Sequence, residues 1–115
     1  MKLHQQRIKF TELLGKLLTY ATSLKLNIAI DESRVFYKRQ VLIKASGFII
    51  EVEDRVHKKN SKHYDGLAVD LLLYNNNGEY IKDALPYRPL GEYWESLGGR
   101  WGGRYANRDA NHFEL

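Results

Sequence analysis

The chain contains no cysteine in its 115 residues, so neither a disulfide framework nor a thiolate zinc site is open to it. Any metal must be held by nitrogen and oxygen, and the four imidazoles are those of His4, His57, His63 and His112. Long apolar runs are missing as well. The longest, residues 71–74, has four residues, far short of the roughly 20 that span a bilayer. No stable membrane insertion is therefore expected. Within the first 26 residues no more than two apolar side chains are adjacent, where a signal-peptide core needs about 7 to 15. The expectation is a soluble protein made without an export signal. No internal repeat, low-complexity tract or linker interrupts the sequence, and its length suits one compact domain, residues 1–115, around a modest core.

What is present is unevenly charged. The net charge is +4, divided as +2 over residues 1–33, +5 over residues 34–62 and −3 over residues 63–115. A basic middle segment attracts polyanions, either nucleic acid or an anionic wall or membrane surface, and serves equally well as a solvated face. No nucleic-acid-binding motif accompanies the charge, so a nucleic-acid partner is not expected.

Residues 8–24 are expected to form an amphipathic helix. Phe10, Leu13, Leu14, Leu17, Leu18, Ala21 and Leu24 fall at helical spacing, with Lys9, Glu12 and Lys16 on the other face. Alternation over residues 26–30 predicts a half-buried strand. A second helix is expected over residues 36–46, ended by Gly47, and residues 48–62 read as a loop with a short strand at most. Residues 66–74 predict a central strand, with Leu67, Val69, Leu71 and Leu73 on one face and Ala68, Asp70, Leu72 and Tyr74 on the other. Asn75-Asn76-Asn77-Gly78 signals a turn into a return strand over residues 79–81. Residues 89–97 read as a helix with Pro89 in its first turn, and residues 112–115 as a last short strand.

Asp70 interrupts an otherwise apolar strand, and a charge so placed costs several kcal/mol, on the order of a lost ion pair, unless it is paired or bound to a cation. His63, beyond Gly66, could set an imidazole beside it. His112 stands on the last strand, pointing opposite to Phe113, with Asp109 three residues earlier. Two imidazoles and a carboxylate, with a fourth position for water, match the ligand count of a catalytic zinc. Each residue also has a plainer reading: a histidine satisfied within the fold, an aspartate in a turn.

The pattern Ser61-x-His63-x-x-Gly66-x-Ala68-x-Asp70, followed by Asp109-x-x-His112, resembles the zinc D-Ala-D-Ala peptidase family. That family includes vancomycin-resistance dipeptidases and carboxypeptidases and phage L-alanyl-D-glutamate endolysins. The block from Pro89 through Trp94 and Trp101 to Arg104 is similar to the segment before the last metal ligand in small phage members. The resemblance runs from about Leu26 onward. It implies an α+β fold like that of hedgehog domains and D-Ala-D-Ala peptidases, a small antiparallel sheet with helices packed on one face. It also implies that His63, Asp70 and His112 bind Zn2+, and that Asp109 stands at the catalytic carboxylate, where dipeptidases commonly have Glu and some endolysins Asp. Arg34 looks like the family arginine that contacts substrate, with Arg55 as a rival because the spacing from Arg34 to His63 is long. Asp65 and His57 read as spectators, Ser61 as a brace for the His63 loop, and Trp94 and Trp101 as core residues. The implied activity is hydrolysis of the L-Ala–D-Glu bond of the peptidoglycan stem peptide by a monomeric phage or prophage endolysin. Such an enzyme waits in the host cytoplasm and acts on the wall during lysis. The alternatives are a D-Ala-D-Ala carboxypeptidase or dipeptidase, and a zinc-stabilised wall-binding module without turnover.

Overall fold

The structure, a computed structural model, describes residues 1–31, 41–45, 48–52 and 62–115. In chain order the elements are α1 (Leu3–Ser23), β1 (Asn27–Ile30), β2 (Val41–Ala45), β3 (Phe48–Val52), α2 (Lys62–Asp65), β4 (Ala68–Tyr74), α3 (Arg88–Ser96), β5 (Arg100–Trp101) and β6 (His112–Glu114). Short 3-10 turns occupy Leu85–Tyr87 and Gly102–Arg104. The class is α+β. A four-stranded antiparallel sheet runs in the order β1-β4-β6-β5, and β2 and β3 form a separate antiparallel pair.

Helix α1 buries Phe10, Leu13, Leu17 and Ala21, as their spacing requires, but starts at Leu3 rather than at residue 8. Its first turn is polar and carries no apolar period. The end is closed by Gln5, whose side-chain oxygen accepts the Lys2 N–H at 2.8 Å. Helix α3 has Pro89 in its first turn and buries Leu90 and Trp94. Both helices pack on the sheet face formed by Val69, Leu71 and Leu73 of β4 and Phe113 of β6. Trp94 meets Phe10 and Phe113 edge to face, with ring centroids 5.8 and 6.3 Å apart. Each large apolar side chain so buried contributes about 1.5–3 kcal/mol.

Two expectations need correction. Residues 41–45 form strand β2, not part of a helix; the remainder of the helix expected over 36–46 lies outside the described residues. A short apolar run containing β-branched Val41 and Ile43 fits either element by periodicity. The neighbouring run from Phe48 decides the matter by pairing with it, from Val41 opposite Val52 to Ala45 opposite Phe48. Residues 53–61 also lie outside the described residues.

The return strand over residues 79–81 does not form either. The Asn75–Gly78 turn is present, with Gly78 at φ 79°, but only a single bridge, Tyr74 to Tyr80, follows it. The Ile81 N–H still donates to the Leu73 carbonyl at 2.8 Å, and a side chain completes the pairing. The buried Tyr87 hydroxyl accepts the Leu73 N–H and donates to the Ile81 carbonyl, both at 3.0 Å. Among the described residues no helix is long and apolar enough to cross a membrane.

Candidate metal centre

Strand alternation divides β4 and β6 into a core side and a site side. In the β4–β6 register Val69 lies opposite Phe113, toward the helices, and Asp70 lies opposite His112, away from them. A cross-strand pair has its Cβ atoms about 4.5–5.5 Å apart, which puts a carboxylate and an imidazole on one face within reach.

His63 arrives by another route. It sits in α2, a single helical turn too short to be stable alone, which closes with the Gly66 N–H donated to the His63 carbonyl at 3.2 Å and the Leu67 N–H to that of Lys62 at 3.0 Å. Gly66 adopts φ 72°, a left-handed conformation that glycine reaches without penalty. Arg7 of α1 secures the turn, its Nε donating to the Asp65 carbonyl at 2.6 Å.

His63, Asp70 and His112 are all buried, and among the described residues they are the one such cluster whose ligand atoms converge. His63 Nε2 lies 3.1 Å from His112 Nδ1. Asp70 Oδ1 lies 3.5 Å from His63 Nε2 and 3.3 Å from His112 Nδ1. Ligands at 2.0–2.1 Å from a tetrahedral zinc stand about 3.3–3.4 Å apart, so the three separations match three edges of that tetrahedron. The donor set fits as well. His112 Nε2 faces the Glu114 carboxylate at 3.2 Å, so that nitrogen carries the proton. In the neutral ring the Nδ1 lone pair then points at Asp70 and His63. Such a meeting of acceptors requires a proton or a cation at its centre.

In the metal-free site a proton plays that part. Burial pushes the Asp70 carboxyl up, but hydrogen bonds from His112 and His63 and their positive charge outweigh it and hold the group well below the usual carboxylate range. For His112, burial acts downward and is overcome by Asp70 and Glu114, so the imidazole is shifted up. Glu114 is itself drawn down: burial opposes ionisation, while Tyr105, His112 and Arg100 favour it more strongly.

Asp109 is exposed, in the turn before β6, where its carbonyl accepts the His112 N–H at 3.1 Å. It is not among the converging ligands. Gly102 makes this turn possible. A Cβ there would lie 2.2 Å from the Asp109 carbonyl oxygen and 2.9 Å from the His112 Cβ. Arg34, Arg55, His57 and Ser61 lie outside the described residues. His4 is exposed on α1, and Trp94 and Trp101 are core residues. Sequence reasoning missed Glu114, although it stands two residues after His112 in a strand and so shares its face.

No curated protein matches the chain. A family profile described as D-alanyl-D-alanine carboxypeptidase matches residues 55–115, the stretch that holds all three converging ligands and Asp109. On that match the chain belongs to the D-alanyl-D-alanine carboxypeptidase family of zinc-dependent metallopeptidases.

Proposed function

We propose that this chain is a zinc metallopeptidase that cleaves the L-Ala–D-Glu bond of the peptidoglycan stem peptide, as a phage or prophage endolysin held in the host cytoplasm until lysis. Family membership supports the coarser part, a peptidase acting on peptidoglycan. The observation that carries the reading is the convergence of His63, Asp70 and His112 on the face of the sheet that the helices leave open. The choice of bond is supported by the aspartate at position 109 and by the resemblance of residues 89–104 to small phage enzymes.

In this mechanism His63, Asp70 and His112 hold zinc, which when bound activates water at neutral pH and polarises the scissile carbonyl. Asp109 accepts the proton of the attacking water on its carboxylate and delivers it to the leaving amine, a role that requires a group outside the ligand set. Arg34, or Arg55 in its place, offsets the charge that grows on the carbonyl oxygen. The basic stretch over residues 34–62 draws the enzyme toward an anionic wall.

The test is digestion of purified murein followed by mass spectrometry, with metal content measured in parallel. Cleaved L-Ala–D-Glu bonds are expected, lost on chelation and restored by zinc. Asp109→Ala should keep its zinc and lose the activity. The description of the matched family favours a second reading, a D-Ala-D-Ala carboxypeptidase. Release of terminal D-Ala from murein whose L-Ala–D-Glu bonds stay intact would establish it, and zinc binding with no cleavage of either bond would point to a wall-binding module.

A further inference from the structure

Glu114 is buried beside His112, and three donors converge on its carboxylate. Its Oε1 accepts from His112 Nε2 at 3.2 Å and from the Tyr105 hydroxyl, and its Oε2 accepts from Arg100 Nη2 at 3.0 Å. The sheet prescribes this meeting. Glu114 and His112 are two apart on β6, hence on one face, and the register sets Arg100 of β5 directly opposite Glu114. The Glu114 backbone is fixed separately by Trp94, whose indole N–H donates to its carbonyl at 2.8 Å. The carboxylate is therefore not needed to hold the strand in place.

We propose that Glu114, braced by Tyr105 and Arg100, is a positioning residue that fixes the ring orientation and tautomer of His112 so that Nδ1 is presented to the metal. The inference rests on the reading of His63, Asp70 and His112 as zinc ligands. An imidazole bound through one nitrogen needs its other N–H directed at an acceptor, and loss of such an acceptor typically weakens metal binding about 10- to 100-fold. A glutamine would serve only in part: its Oε1 still accepts from His112, but its NH2 would face the Arg100 guanidinium, donor against donor, and the exposed Arg100 brace would be lost.

The experiment measures zinc dissociation constants by chelator competition, and the visible spectrum of the cobalt-substituted protein, for wild type, Glu114→Gln, Glu114→Ala and Tyr105→Phe. Glu114→Ala, which removes the acceptor, should bind zinc about 10- to 100-fold more weakly with an altered cobalt spectrum, and Glu114→Gln, which keeps an acceptor oxygen, should fall between it and wild type. Tyr105→Phe, which leaves the His112 contact in place, should weaken binding by about two- to tenfold, the worth of one hydrogen bond. Near-ultraviolet circular dichroism of the metal-free proteins separates this from unfolding. A Glu114→Ala zinc constant within twofold of wild type and an unchanged cobalt spectrum would overturn the proposal while leaving the zinc site intact. A wild type that binds no zinc would instead overturn the metal reading beneath it. Should the Glu114 variants not fold, Tyr105→Phe decides alone, and unchanged zinc affinity there counts against the proposal.

Discussion

Tyr87 carries a structural duty that falls to backbone in most sheets: Ile81 N–H reaches the Leu73 carbonyl directly, but the return bond, from Leu73 N–H to the Ile81 carbonyl, is bridged by the Tyr87 hydroxyl. Tyr87→Phe removes both bonds and leaves a buried N–H and a carbonyl unmet, which should lower stability by about 1–3 kcal/mol in denaturant melts. The same hydroxyl gives a pH signature. Burial raises its pKa from 10.0 to about 12. The unfolded chain therefore loses this proton first, and stability that is whole below pH 10 drains as the pH rises toward 12. The fall over that interval should be shallower in Tyr87→Phe than in wild type. A second residue-scale expectation concerns Gly102, where any Cβ meets the Asp109 carbonyl oxygen. Gly102→Ala should destabilise the fold by about 1–3 kcal/mol and weaken zinc binding, read by thermal melts and chelator competition. Neither duty was legible beforehand. Residues 99–105 are rich in glycine and aromatic side chains, but a close approach between Gly102 and a segment seven positions later is a tertiary fact, and the reach of the Tyr87 hydroxyl is another.

Among the elements, α2 depends most on others. One turn cannot nucleate itself, and its hold on α1 passes through Arg7. Arg7→Ala should weaken zinc binding by about two- to tenfold, the worth of one hydrogen bond, with a smaller change in the melting of the metal-free protein, because it loosens the turn that carries His63. Strand β4 was readable apart from its start, expected at residue 66 and found at Ala68, since Asp70 is the one charge in an apolar run and sets Leu67, Val69, Leu71 and Leu73 on the opposite face. Helix α1 was readable in its body and not at its start. Strand β2 was misread as helix because five apolar-rich residues do not distinguish the periods of 3.6 and 2. Strand β5 escaped notice, since a two-residue strand has no period at all; it exists because β6 offers Phe113 and Glu114 as partners. The three side chains that converge, His63, Asp70 and His112, were legible through their motif, whereas Glu114 needed the strand's bounds before its alignment with His112 had meaning.

For the molecule as a whole, zinc should act as a folding ligand. At one hundred times its dissociation constant a ligand specific for the native state adds about 2.7 kcal/mol. In a domain of this size that corresponds to a rise of roughly 10 °C in Tm. Scanning calorimetry with zinc, and again after chelation, should show the rise and its reversal; equal Tm in both would remove zinc from the folded state. The sheet makes such coupling natural, because one pair of strands faces the helix-packed core with Val69 and Phe113 and the metal cluster with Asp70 and His112. That shared register also constrains which length changes the gene can tolerate. Losing or gaining one codon within β6 would exchange the facing of Phe113 and His112, and one within β4 that of Val69 and Asp70, so hydrophobic packing screens out variants in which the converging side chains fail to meet. Residues 106–108, in the exposed connection between the two site-bearing turns, lie outside that ladder. Length variation among descendants of this sequence should collect there and spare the paired strands.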